Sequence, residues 1–298
     1  MISYDYYKVF YYVCKYRNFT KAANVLSTSQ SSISHTMLNL EHQLGCRLFT
    51  RSNRGIRLTV EGEKLYEYVS IACEQLLKGE SELTSTVNLE EGIIYIGTTE
   101  TALHCFLFEA LDGFHLKHPH VKFKISNFTT TEAINSLKNG LVDFAVTATP
   151  FELYPHMKSA RLKSFRDILI AGSGFNDLRG KTLKLSETCS YPLISFTSGT
   201  KSRDFMDDVF RSYNLTLSPA MESATSDLIL PMVKHNLGLG FIPENIAFEA
   251  MDKGDIFKIN LQEELPERYV TLIYDTQYPH SIASMEFQKF LLNLAGNM

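Results

Sequence analysis

Between Phe19 and Thr59, two short amphipathic stretches are separated by small hydroxyl residues and followed by an arginine-studded turn. In the second stretch Ile33, Met37, Leu40 and Leu44 recur at helical spacing and so share one face. Ser27-Thr28-Ser29 interrupts the pattern, because short hydroxyl side chains compete for backbone hydrogen bonds. Ser29 fits the N-cap of the second helix, and Gly45 fits its left-handed end. The helix before it starts near Thr20 as cap and buries Ala22, Ala23 and Leu26. An earlier helix, from about Tyr4 to Arg17, carries the stripe Tyr6, Val9, Phe10 and Val13. After Gly45, Leu48 and Phe49 anchor a hairpin from which Arg51, Arg54 and Arg57 project around Asn53 and Gly55. Helices, polar turn and basic hairpin in this order make a winged helix-turn-helix over residues 1–58.

The core-facing phase of the second stretch forces Gln30, Ser31, Ser34 and His35 onto its outer face, beside Ser29. A helix end of that kind fits the major groove of B-DNA. Gln pairs bidentately with adenine, Ser and His reach base edges or phosphates, and the positive helix end favours phosphate. A merely solvated polar face is the alternative; the basic hairpin directly behind it favours contact with DNA. Guanidinium groups such as Arg51, Arg54 and Arg57 suit phosphates and narrow minor grooves. The tyrosines at 4, 6, 7, 11, 12 and 16 suggest base stacking at first sight, but core filling and a subunit contact explain them more simply.

Charge is distributed accordingly. The chain of 298 residues carries −4 overall, which by itself argues against a nucleic-acid binder. Residues 1–60 hold eight basic side chains against Asp5 and Glu41, so this segment carries +6 and the remainder −10. A basic end on an acidic body implies one polyanion-binding module joined to something else.

The runs Phe-Thr-Lys-Ala-Ala-x-x-Leu, Ser-Gln-Ser-Ser-Ile-Ser, Leu-Glu-x-x-Leu-Gly, Leu-Phe-x-Arg and Leu-Thr-x-x-Gly resemble the DNA-binding domain of LysR-type transcriptional regulators. Where many relatives carry arginines on the recognition helix, this chain has His35, Leu38 and Asn39.

From Thr59, a helix cap, Glu61 and Glu63 occupy a first turn where the helix dipole favours acids. Leu65, Val69, Ala72, Leu76, Gly79 and Leu83 then repeat at alternating steps of four and three, the seam of a paired helix. Packing on its own domain is the alternative, but Ser70, Lys78, Glu80 and Glu82 leave only a narrow stripe. The resemblance implies dimerisation through this helix, residues 59–90, into a homodimer or homotetramer.

Beyond Glu91 strands alternate with helices: 92–97, 121–128 and 141–148 as strands, 101–117 and 131–139 as helices. Similar alternation runs from Ile168 to Leu261, and a strand at 269–274 and a helix at 281–294 close the chain. That alternation implies parallel sheets with crossover helices. The family resemblance, looser here, rests on Gly140-Leu-Val-Asp-Phe-Ala-Val and Gly238-Leu-Gly-Phe-Ile-Pro. It implies an α/β multidomain chain ending in a two-lobed effector domain of the periplasmic-binding-protein type. The lobes would be 91–162 with 267–298, and 163–266.

Ligands of such sheets bind beyond the carboxyl ends of strands, at helix N-termini. Three clusters qualify: Thr98, Thr99 and Thr101; Thr129, Thr130 and Thr131; and Ser198, Gly199, Thr200 and Lys201. Their hydroxyls and free N–H groups suit a small carboxylate or similar anion, although capping alone explains any single Thr. Thr99, Thr101, Ser198 and Thr200 align with the family's effector positions.

Other signals carry less. Gly172-x-Gly174 and Gly238-x-Gly240 lack the third glycine of a dinucleotide site and read as turns. His115, His118 and His120 flank Pro119 and read as a solvated turn rather than a metal site. No nucleophile elbow, P-loop or His-Glu-x-x-His occurs, so neither an enzyme nor a bound cofactor is expected. Five scattered cysteines without a Cys-x-x-Cys pair fit reduced thiols in the cytoplasm. The acid-bearing N-terminus is no signal peptide, and no run is long enough to span a membrane. The expected partners are double-stranded DNA, a small effector, a second copy of the chain and, for an activator, RNA polymerase. A two-lobed solute-binding protein or enzyme with an appended helical module is the competing class, and a regulator without a ligand is a third.

Overall fold

The computed structural model describes residues 2–52, 55–85, 92–278 and 280–296; at 51, 52, 55 and 81–85 it describes backbone alone. The chain divides into two compact units, residues 1–83 and 84–298.

The first unit opens with α1 (Tyr4–Tyr16), α2 (Phe19–Val25) and α3 (Gln30–Leu44). A hairpin of β1 (Phe49–Ser52) and β2 (Gly55–Leu58) follows, then α4 (Val60–Ser85). Asn18, not Thr20, caps α2, its side chain accepting the Lys21 N–H. Two polar residues compete for this cap, and the extended backbone that capping requires falls at Asn18. Ser29 caps α3, Ser27 turns the chain with a left-handed φ of 52°, and Gly45 ends α3 at φ 69°. Phe10, Tyr11, Val13, Ala22, Ile33, Met37, Leu40 and Leu48 make the core, but Leu44, in the last turn, stays exposed. Tyr11 is fully buried, so it fills the core and cannot stack on a base.

The first turns of α4 belong to this same core. Val69 and Cys73 are buried in it, with Leu65 and Tyr66 packed alongside. Tyr11 Oη donates to Glu74 at 3.3 Å and accepts from Lys15 at 2.9 Å, tying α1 to α4.

The second unit holds two mixed sheets. The first runs β4 (Lys122–Asn127), β3 (Ile93–Thr98), β5 (Phe144–Ala148), β13 (Arg268–Asp275) and β6 (Met157–Phe165). The second runs β10 (Met221–Ser223), β9 (Leu193–Phe196), β11 (Leu239–Pro243), β7 (Asp167–Gly172), β12 (Ile256–Leu261) and β8 (Thr182–Leu183). β3 is parallel to β4 and β5, as alternation with helices requires. β13 is antiparallel to β5 and β6, against the all-parallel expectation. The reason is connectivity: β6 leaves this lobe through Arg166 and β13 returns from the other, so the two strands run oppositely. β6 stays in the first sheet through Phe165, and the crossing therefore lies beyond the expected 163.

Helices cover both faces of each sheet, which explains why β5, β7, β9 and β11 are buried throughout. On the first sheet, α6 (Phe108–Lys117) and α12 (Ile282–Gly296) pack one face, with Phe114 and Phe287 rings 4.8 Å apart; α7 (Thr130–Lys138) covers the other. Such an aromatic pair adds about 0.5–1.5 kcal/mol beyond burial. The stretch expected as one helix over 101–117 begins at α5 (Glu100–Ala102) and passes through a π-helical turn, Leu103–Leu107, before α6. On the second sheet, α9 (Lys201–Ser212) packs one face, with the short α8 (Leu185–Thr188) beside it, and α10 (Ser226–Lys234) and α11 (Glu244–Asp252) pack the other.

Candidate nucleic-acid interface and ligand cleft

On the first unit, Ser29 Oγ accepts the Ser32 N–H at 3.1 Å and so starts α3 with its polar face outward. Ser29, Gln30, Ser31 and His35 are exposed and Ser34 is half-buried. Their side chains bond along the helix: Ser29 Oγ with Ser31 Oγ at 2.9 Å, Gln30 Nε2 with Ser34 Oγ at 3.1 Å, and His35 Nδ1 with Asn39 Nδ2 at 3.2 Å. Exposed bonds of this kind exchange readily for bonds to base edges.

Arg57 is exposed on β2, where Thr50 faces it across the hairpin. Arg51 lies on β1 opposite Ile56, but its side chain, like Arg54 and Asn53, falls outside the described residues. The hairpin is held against α3 by Glu41, whose Oε1 accepts the N–H groups of Leu48 at 2.7 Å and Phe49 at 3.2 Å. Phe49 then packs against Phe10 and Phe19. Glu41 was legible only as part of the Leu-Glu-x-x-Leu-Gly run.

The expected pairing seam on α4 divides in two. Val69 is 7% exposed within the chain's own core and Leu65 packs beside it, so Val69 has no surface left for a partner helix. Seam position and core position coincide there, and the core takes the side chain. Farther along, Ala72 is exposed and Leu76 is 50% exposed, with Tyr68 and Leu77 also open. The side chain of Leu83 lies outside the described residues.

In the second unit an open cleft lies between the two sheets' helices. Thr99, Thr101, Thr129, Thr130, Thr200 and Lys201 all line it. Thr99, Thr129 and Thr200 cap α5, α7 and α9, so the N-termini of these helices converge there. Thr98 does not line it. It is fully buried in β3, its hydroxyl donating to the carbonyls of Val146 at 2.8 Å and Thr99 at 3.2 Å, because it is still a strand residue facing inward. Ser198 stands aside, its N–H directed to Glu222 at 3.4 Å. Gly199 and Thr131 line an adjoining open cavity that shares Thr130 and Lys201 with the first.

Lys201 is already engaged, with Glu152 at 3.4 Å and Asp204 at 3.5 Å. Those carboxylates, Glu152 foremost, hold its ammonium above the usual lysine range. Glu100 is a wall residue that pattern reading passed over between Thr99 and Thr101. Its Oε2 accepts from Ser226 Oγ at 3.2 Å and from the Asp227 N–H at 2.9 Å, reaching across to the start of α10. Burial pushes its carboxyl above the usual glutamate range, opposed by the Asp227 N–H. Ser202, which also lines the cleft, accepts from Arg268 at 3.1 Å. Arg268 is 2% exposed, pairs with Asp167 at 2.9 Å, donates to the Thr149 carbonyl at 2.8 Å, and lies between the rings of Phe165 and Phe205. It thus ties the two crossing segments together beside the cleft.

Cys105 is buried and its thiol is pushed up to about 12, which leaves little nucleophilic thiolate near neutrality. Among the described residues no group of His, Cys, Asp or Glu is placed to hold a metal ion, and His118 packs on Phe114 at the end of α6. No described helix is long and apolar enough to cross a membrane.

A winged helix-turn-helix followed by a two-lobed ligand-binding fold defines the class: a DNA-binding regulator that carries an effector-binding domain. Residues 4–63 match the family described as bacterial regulatory helix-turn-helix protein, lysR family, and residues 88–296 match the LysR substrate binding domain. The chain belongs to the LysR family of transcriptional regulators. The HTH-type transcriptional regulator CysB of Haemophilus influenzae is 28% identical over 239 residues, covering 79% of this chain and 73% of that protein. YofA of Bacillus subtilis is 24% identical over 284 residues, 95% of each chain. Among solved structures, the LysR family regulator CbnR superposes with a TM-score of 0.77 at 18% identity over 99% of both chains. The effector-binding domain of QuiR in complex with shikimate gives 0.62 at 19% identity, covering 70% of this chain and 98% of that one.

Proposed function

We propose that the chain reads an interrupted palindrome in double-stranded DNA as a homodimer or homotetramer, under control of a small effector held between the two lobes. Ser29, Gln30, Ser31, Ser34 and His35 face the bases, and Arg51, Arg54 and Arg57 engage the backbone. CbnR, similar over nearly its whole length, has been solved with its target DNA. The subunits pair along α4 through Ala72, Leu76 and Leu83, where Leu76 and its neighbour Leu77 leave apolar surface open. The chain works in the cytoplasm and, as an activator, would touch RNA polymerase.

The convergence of Thr99, Thr129, Thr130 and Thr200 on one cleft carries the effector reading. The N-termini of α7 and α9 suit an anionic group on that effector. To act, the effector must bind one subunit arrangement better than another, since equal affinity shifts nothing.

Binding of the purified protein to the DNA just upstream of its own coding region, across a salt series, tests the core of this reading. Specific binding that weakens steeply with salt, and that an Arg51→Ala/Arg54→Ala variant loses, is the expected result. Equal affinity for random duplex, unchanged by the variant, would overturn it.

A further inference from the structure

The walls of the cleft carry charge of both signs in separate places. Glu100 sits on one side, its side chain 10% exposed. Through Oε2 it serves the start of α10, a helix whose N-cap, Thr225, turns its hydroxyl to Asp227 instead of to a backbone N–H. The anion position at α10 is therefore already filled by the protein's own carboxylate. A ligand anion placed there would stand beside Glu100 and be repelled. Glu100 Oε1 keeps no hydrogen bond among the described residues; His104 Nε2 is 3.8 Å away. On the other side, the first N–H groups of α7 and α9 carry no intrahelical partner, although at α7 Glu132 closes a capping box with Thr129; the Lys201 ammonium stands beside them, paired at its outer side with Glu152 and Asp204. The adjoining cavity, which starts at Thr130 and Lys201, is lined by Ile134, Phe151, Leu153 and Tyr154, with Glu152 and Asp204 at its edge.

Resting on the effector reading above, we infer that the ligand is an α-amino acid with an apolar side chain. Its ammonium meets Glu100, its carboxylate meets the N-termini of α7 and α9 beside Lys201, and its side chain lies against Ile134, Phe151 and Leu153. A plain carboxylate brings Glu100 no cation beyond the His104 imidazole 3.8 Å away. An acidic side chain would meet Glu152 and Asp204 in the second cavity.

The test is calorimetry and thermal shift on the full chain with leucine, methionine and phenylalanine, each beside the α-hydroxy acid of the same skeleton, and with glutamate. At least one apolar amino acid should bind, and bind about tenfold or more tighter than its hydroxy acid, since loss of one charged pair costs a factor of that order. Glu100→Gln should reduce that preference to about threefold or less. Hydroxy acids binding as well as the amino acids, or glutamate outdoing them, or no amino acid binding at all, would overturn the inference. An Ala224→Phe variant, which fills the exposed wall of the cleft, separates the two failures. If hydroxy acids win and Ala224→Phe abolishes their binding, the cleft remains the site and only the amino-acid assignment falls. If ligands bind Ala224→Phe undiminished, the cleft reading itself falls.

Discussion

Gly62 lies so close to the carbonyl oxygen of Leu48 that a Cβ on it would stand 2.2 Å away. The same carbonyl accepts the Thr59 N–H at 3.0 Å, while Thr59 Oγ1 donates to the Arg47 carbonyl at 2.6 Å and accepts the Gly62 N–H at 3.0 Å. The start of α4 is thereby laid directly on the base of the hairpin. Glycine within a helix ordinarily costs about 1 kcal/mol relative to alanine, so Gly62→Ala should stabilise if helix propensity decided the matter. Overpacking against backbone costs about 1–3 kcal/mol and should win here. We expect the melting transition of residues 1–83 to fall by roughly 5 °C or more, with weaker DNA binding. A raised or unchanged transition in a calorimetric scan would refute the packing argument.

On the proposed reading, Gln30 reads bases while Arg57 holds the backbone. Gln30→Ala should flatten the preference at one base pair, by about 1–3 kcal/mol, while leaving the salt dependence in place. Arg57→Ala should weaken all sequences about equally and lower the slope of log affinity against log salt by about 0.9. Titrations against operator and scrambled duplexes at several salt concentrations would check both. An Arg57 variant that changed sequence preference but not slope would reverse the assignment.

How far these sites could be read in advance follows from the range of the interactions that make them. Ser29, Gly45 and the phase of Ile33, Met37 and Leu40 are local matters of capping and period, and they stand as the residues suggest. Leu44 shares that period yet ends up exposed, because burial depends on whether another element lies above the last turn. Val69 fits both a pairing seam and a core, and only tertiary packing chooses between them. Thr98 misled because a run of threonines does not mark where the strand stops. Glu100 was illegible because its partners, Ser226 and Asp227, are more than a hundred residues away along the chain. The reversed β13 depends likewise on a route through the second lobe, invisible to alternation alone.

Arg268 and Asp167 form a buried pair on the two segments that cross between lobes. Removing one partner strands the other charge, so Asp167→Ala should cost about 3–5 kcal/mol. Replacing both, as Asp167→Leu with Arg268→Met, should cost less than the two single changes added together. Chemical denaturation of the full chain, following the transition of residues 84–298, would compare them. Costs that simply add would mean that the two charges act independently.

Glu100 sets a pH dependence whose sign follows from its environment. Burial raises its pKa, and Asp227 on α10 adds to that, while the Asp227 N–H and the Ser226 hydroxyl oppose it; His104 stands on its own helix. A carboxyl with a raised folded-state pKa binds its proton more tightly folded than unfolded. Its contribution to stability is therefore complete below the ordinary glutamate pKa and is lost as the pH rises through the raised value. Glutamine at this position does not titrate. The melting temperature of the wild-type chain minus that of Glu100→Gln should accordingly decline from about pH 4 upward, levelling once Glu100 is ionised. A bound ammonium beside Glu100 favours the charged form and should make that decline smaller and level it at a lower pH. A difference that stayed flat, or rose, across the range would show that burial does not govern this carboxylate.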